Sequence, residues 1–139
     1  RLLDLGVPHY LIQSTLNGVL AQRLVRTLCP HCKKPAPLDD DGWAVLAEGL
    51  DIAKPATAQA ARGCLECRHS GFLGRVGLYE LLLITPPLRS RIRQDMDQAD
   101  FTRACVTDGM QTLRAAGAHK VAQGLTTIAE VLEVLPPPE

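Results

Sequence analysis

Two C-x2-C pairs constrain this chain more than anything else in it. Cys29-Pro30-His31-Cys32 and Cys64-Leu65-Glu66-Cys67 are separated by thirty-one residues (33 to 63). A C-x2-C turn points two thiols to one side of a tight knuckle, and two facing knuckles complete the tetrahedral S4 set of a closed structural zinc site. Cys29, Cys32, Cys64 and Cys67 are therefore the predicted zinc ligands. Lys33, Lys34, Arg62 and Arg68 flank them with charge that offsets the net −2 of a tetrathiolate zinc centre. Two disulfides would need an oxidising compartment, a thioredoxin-type pair occurs once rather than twice, and the usual cysteine runs of an iron–sulfur cluster are absent. His31 and His69 stand beside the ligands but are not expected to bind. Cys105 falls in an apolar helical pattern with Phe101 and Ala104 and reads as a small core residue.

The spacing between the pairs exceeds that of a common zinc ribbon, so the intervening segment should carry its own structure. Asp39 to Leu50 reads as a short helix, with three aspartates at its N-terminal end and Trp43, Leu46, Ala47 and Leu50 as its apolar stripe. Lys54 to Ala61 reads as a loop or weak strand. Upstream, Leu2, Leu3 and Leu5 lead into a stop at Gly6-Val7-Pro8. Pro8 then opens a helix through about Leu16 as its first residue. Val19 to Leu28 alternates as a strand running into Cys29, with Gln22 and Arg23 on opposite faces. After Cys67, Gly71, Gly74 and Gly77 suggest a hairpin that closes the knuckle; a phosphate cradle is disfavoured because no helix opens directly behind it. A strand is expected from Val76 to Ile84.

The last third reads as helical. Leu88, Ile92 and Met96 form one stripe, with Arg89, Arg91 and Arg93 off it. Asp97 caps a helix ending near Gly109, another runs from Gln111 to Gln123 with Gly124 beyond its end, and Thr127-x-x-Glu130 is a reciprocal capping box for the last, ended by Pro136-Pro137-Pro138. Ile128, Val131, Leu132 and Leu135 are its expected buried stripe.

Fifteen basic residues balance fifteen acidic ones, which disfavours a nucleic-acid binder. No apolar run approaches the roughly 20 residues of a membrane-spanning helix, and no stretch reads as a signal peptide. The chain holds no G-x-x-x-x-G-K-[ST] phosphate loop, no G-x-S-x-G and no H-E-x-x-H. It opens on Arg1 with leucines directly behind, which reads as a piece of a longer protein. The residues alone describe a zinc-stapled α/β fragment that is not independently catalytic.

The wording of several stretches resembles the C-terminal third of the secretion ATPases that drive type II secretion and type IV pilus assembly. Arg1 to Val7, the ungapped run Gly18 to Pro30 with Cys32, Gly63-Cys64-x-x-Cys67 followed by Gly71-Phe72-x-Gly74-Arg75-x-Gly77-x-Tyr79-Glu80-Leu81-Leu82, Asp108-Gly109-Met110 with Thr112-Leu113-Arg114, and Glu130-Val131-Leu132 all carry it. The resemblance implies a RecA-like hexameric motor in the bacterial cytoplasm, peripheral to the inner membrane and docked on its platform proteins. It implies a parent that uses ATP and Mg2+, with the nucleotide-binding boxes lying outside these residues. The four cysteines match the family's tetracysteine zinc subdomain. On that reading residues 1–28 end the motor core, 29–78 form the zinc subdomain and 79–139 a mainly helical subdomain. Gln22 and Arg23 become candidate subunit-boundary or motor-coupling residues, and Arg89, Arg91 and Arg93 candidate protein contacts. The secretion branch is favoured by the Gln22 to Pro30 wording; the pilus-assembly branch and a free-standing zinc adaptor for protein or nucleic acid are the alternatives.

Overall fold

The computed structural model describes residues 1–137; Pro138, placed by the sequence in the final proline stop, lies outside the described residues. Among the described residues, six helices and four strands follow one another: α1 (His9–Thr15), β1 (Gly18–Leu28), β2 (Lys34–Ala36), α2 (Asp40–Leu46), β3 (Ala58–Ala60), β4 (Phe72–Leu83), α3 (Pro86–Ser90), α4 (Gln98–Thr107), α5 (Leu113–Ala122) and α6 (Ile128–Val134). The mixed α/β class agrees with the sequence reading. Strands β1 and β4 form one two-stranded sheet, and β2 pairs antiparallel with β3 in a second. The chain packs as two units: Arg1–Ala21 with Glu80–Thr112, and Gln22–Tyr79 with Leu113–Glu139.

The second unit holds the larger core. Val25 of β1, Trp43 and Leu46 of α2, Leu78 of β4, Ala118 and Val121 of α5, and Ile128 and Val131 of α6 are buried together. Helix α2 starts where the aspartates predicted: the Asp39 carboxylate accepts from the Gly42 amide at 3.1 Å. It stops at Leu46, four residues short of the expected end, because Gly49 turns the chain with φ +72°. Helix α5 ends in a Schellman motif. Gly124 adopts φ +74°, its amide donates to Val121 O, and the Leu125 amide donates to Lys120 O.

Helix α6 corrects one expectation. Thr127 Oγ1 accepts from the Glu130 amide at 3.1 Å, which is half of the capping box. The Glu130 carboxylate does not return to the cap. It is buried and bonds Arg26 of β1 instead, accepting from the backbone amide at 3.4 Å and from Nε at 3.1 Å, with Nη2 closing an ion pair. A full guanidinium charge outbids a backbone dipole for a buried carboxylate. The hydrogen bond from Arg26 holds the Glu130 carboxyl below its ordinary range, against the opposing effect of burial.

The first unit has a smaller core of Ile12, Ile84 and Ile92, lined by half-buried Leu3, Val7, Leu16, Leu82 and Phe101. Pro8 is the N-cap of α1, one position outside the helix rather than its first residue. Strand β4 begins at Phe72, four residues before the expected Val76, with Gly74 and Gly77 inside it. Asp97 caps α4 as predicted, accepting from the Ala99 and Asp100 amides at 2.8 and 3.3 Å, and Cys105 is buried. The Leu88–Ile92–Met96 stripe is not one helix. Helix α3 stops at Ser90, and the Arg91 and Ile92 amides reach back only three residues, to Leu88 O and Arg89 O. The chain must turn before Asp97, whose extended backbone starts α4, so Ile92 reaches the core from a tightened turn.

Candidate metal centre

The two sheets deliver the knuckles. Strand β1 runs straight into Cys29, whose amide donates to Gly71 O at 2.9 Å. The register of the second sheet, Lys34↔Ala60 to Ala36↔Ala58, closes the intervening segment and brings the chain from Cys32 out through α2 and back to Cys64. That is the independent structure the long spacing called for.

Each knuckle turns on its own backbone. In the first, the Cys32 and Lys33 amides donate to Cys29 O at 3.4 and 3.0 Å. In the second, the His69 amide donates to Cys64 O at 2.7 Å, the Arg68 amide to Leu65 O at 3.2 Å, and Ser70 Oγ to Cys67 O at 2.7 Å. Arg68 and His69 both take left-handed conformations, φ 54° and 63°, where a residue with a Cβ is uncommon. Gly71, at φ +83°, admits no side chain: a Cβ there would lie 2.6 Å from the Ala61 Cβ.

The four Sγ atoms lie within 4.8 Å of one another. Cys29–Cys64, Cys32–Cys67 and Cys64–Cys67 are each separated by 3.8 Å. All four are free thiols, far beyond the disulfide length of about 2.05 Å. A metal–sulfur bond of about 2.3 Å in a tetrahedron requires sulfur–sulfur edges of about 3.8 Å, so the set fits one tetrahedrally coordinated, thiophilic ion such as zinc. Cys29 and Cys67 are buried; Cys32 and Cys64 are half-buried.

Backbone amides are shared unequally among the sulfurs. Cys67 Sγ accepts from the Cys64 and Gly71 amides, both at 3.2 Å, and Cys32 Sγ from the Gly63 amide at 3.3 Å. Loss of solvent pushes the Cys32 thiol up to about 11; the Gly63 amide opposes this, and the neighbouring thiols of Cys29, Cys64 and Cys67 add to it. Loss of solvent also pushes Cys67 up, but its two amides and the thiols of Cys64 and Cys32 prevail and bring it down to about 6.

The surroundings tie the centre to the helices behind it. Lys33 Nζ donates to Gly124 O at 3.0 Å, at the end of α5, and the Leu28 amide donates to Leu125 O at 2.8 Å. Thr126 Oγ1, wholly buried, donates to Arg26 O at 2.8 Å. These contacts were not legible in the sequence, because Lys33 and Gly124 are ninety-one positions apart. His31 and His69 are exposed beside the knuckles, and neither joins the cysteine cluster.

The remaining sequence candidates lie elsewhere on the chain. Gln22 and Arg23 are both exposed on β1, and Arg23 Nη1 donates to Gln22 O at 2.8 Å. Arg91 and Arg93 are exposed, whereas Arg89 is half-buried and donates to Gln13 O, with Gln13 Nε2 returning a bond to Arg89 O at 3.0 Å. Among the described residues no helix is long and apolar enough to cross a membrane.

A family model described as type II/IV secretion system protein matches residues 1–133. The chain is 45% identical over 134 residues to the type II secretion system protein E of Pseudomonas aeruginosa, covering 96% of this chain and 26% of that protein. It is 41% identical over 136 residues to the type IV pilus assembly ATPase TfpB of Acinetobacter baylyi, covering 98% and 23%. It is 39% identical over 136 residues to the type II secretion system ATPase E of Vibrio cholerae, covering 96% and 26%. The chain therefore spans about a quarter of the length of these relatives. With nearly every residue inside the matched region, this chain belongs to the type II/IV secretion system protein family.

Proposed function

We propose that the chain is the zinc-bearing C-terminal part of an ATPase that powers type II secretion. The observation that carries this is the tetracysteine cluster, closed to tetrahedral dimensions within a segment 45% identical to a type II secretion system protein E. Four thiolates fill every position of a tetrahedral zinc ion, which leaves none for a water or substrate, so the metal is structural. ATP and Mg2+ belong to the parent motor, and the chain by itself turns over no ATP because it carries no phosphate loop.

In the parent, residues 1–28 end the RecA-like core, 29–78 are the zinc subdomain and 79–139 the helical part. The exposed apolar residues of the first unit, Leu20 and Leu83 among them, suit a surface that further polypeptide covers. The motor works as a homo-hexamer in the bacterial cytoplasm, against platform proteins of the inner membrane. Gln22 and Arg23 lie on an exposed stretch of strand suited to a subunit boundary. Arg91 and Arg93 offer free charge to an acidic partner, while Arg89 is engaged with Gln13.

Complementation tests the reading. A secretion-deficient strain carrying the parent with Cys29→Ser should fail to export, and Arg23→Ala should lower ATPase rate more than thermal stability. Rescue of export by the Cys29→Ser protein would defeat the proposal. The similarity to TfpB favours pilus assembly as the second reading; rescue of piliation but not of secretion would select it.

A further inference from the structure

The four sulfurs of the metal centre are unequally protected, and the inequality singles out one of them. Two properties shield a metal-bound thiolate from reagents: burial, and amide N–H···S bonds that draw charge off the sulfur. Cys29 is fully buried. Cys67 is buried and accepts from two amides, and Cys32 is half-buried and accepts from the Gly63 amide. Cys64 is the least protected: it is half-buried like Cys32, and among the described residues no amide donates to its sulfur. Its neighbour Leu65 is 84% exposed, which places Cys64 beside the solvent-facing part of its knuckle.

We infer that Cys64 is a modification site for soft electrophiles and peroxide-type oxidants, and that reaction there opens the metal centre. With a maleimide, the Cys64 sulfur pair forms the S–C bond. The alkene pair takes a proton from water, and the neutral thioether left behind is a poor donor, so the metal–sulfur bond breaks. With hydrogen peroxide, the sulfur pair forms an S–O bond as the O–O bond breaks and hydroxide leaves. The sulfenic acid then meets a neighbouring thiol, since Cys29 and Cys67 each lie 3.8 Å from Cys64 Sγ. Displacement there yields a disulfide and water, removing two ligands at once. The consequence passes beyond the knuckles, because Lys33, next to Cys32, holds the carbonyl of Gly124 at the end of α5.

This inference rests on the zinc reading above, and one experiment separates the two. The chain is purified without chelator, its zinc content measured, and the loaded protein treated with one equivalent of N-ethylmaleimide beside a chromogenic zinc chelator; adducts are mapped by peptide mass. The expected result is a first adduct on Cys64, ahead of the other three ligands, with one zinc released per adduct. Cys105, buried in the other unit, stays unmodified and reports unfolding if it reacts. A zinc-loaded protein alkylated first at Cys29, Cys32 or Cys67, or one that keeps its zinc after Cys64 reacts, overturns the inference and leaves the zinc reading standing. A protein isolated without zinc overturns both. No substitution is involved, so a folding failure cannot imitate either result.

Discussion

The two units of the chain satisfy their apolar residues in different ways. In the second, an eight-residue core joins β1, β4, α2, α5 and α6, and the same unit carries the cysteine cluster. In the first, three isoleucines form the buried core. Leu2, Leu5, Tyr10, Leu20, Leu81 and Leu83 of that unit remain 47–65% exposed. Surface on this scale is what an isolated soluble domain avoids. The difference teaches that the second unit buries its apolar residues in a core of its own beside a four-sulfur cluster able to hold a metal, whereas the first leaves much of its apolar surface facing solvent.

Removing the metal should break the comparison most severely. With a strong chelator, or in Cys67→Ser, the second unit should lose stability on the order of several kcal/mol, since metal binding and folding are one process at such sites. The loss should extend beyond residues 29–78 to α5 and α6, which share the core and flank Gly124, whose carbonyl receives the Lys33 bond. Amide hydrogen exchange would locate it: protection lost in α2, α5 and α6 but kept around Ile12 and Ile92. Uniform loss across both units would contradict the division.

Gly71→Ala tests the knuckle without touching a ligand. The substitution combines a left-handed φ with contact against Ala61, for a cost of about 1–3 kcal/mol. Thermal melts of the zinc-loaded protein should show it, and zinc affinity should fall in step, because the same residue's amide bonds Cys67 Sγ.

Glu130→Gln sharpens the picture of how β1 and α6 are held in the second unit. Losing charge-assisted bonds to Arg26 should cost about 1–3 kcal/mol near neutral pH. The sign with pH follows from the lowered Glu130 carboxyl. Its stabilisation is fully present above the ordinary carboxylate value of 4.5 and is lost as pH falls below it through the lowered native value. Denaturant midpoints of wild type and variant should therefore converge in acid; a constant gap would show that charge is not the cause.

The smallest effect is expected on the first unit. Leu20→Ser or Leu83→Ser should change the stability of this chain by no more than about 0.5 kcal/mol, because the side chains already face solvent. The same changes in the full-length protein should cost more if further polypeptide covers them. Equal, small effects in both would mean the face stays bare.

Much of the site was legible from residue order alone. Two C-x2-C pairs dictate a four-sulfur cluster because the spacing within each pair admits few other uses, and the helix starts at Asp39, Asp97 and Thr127 follow from side chains that bond amides two or three positions away. Such interactions are local, so sequence contains both partners. Tertiary structure decided the rest, for the converse reason. Glu130 left the cap for Arg26, one hundred and four positions away, once both were placed in one core. The stripe through Leu88 and Ile92 kept its buried side but not its helix, because α4 begins too soon to let α3 continue. The amide on Cys32 Sγ also depends on how the second knuckle folds over the first, since its donor, Gly63, lies thirty-one positions away. Residue order therefore determined that four cysteines would meet and which helices would frame them; the packing of distant segments determined what each sulfur and each charge would meet there.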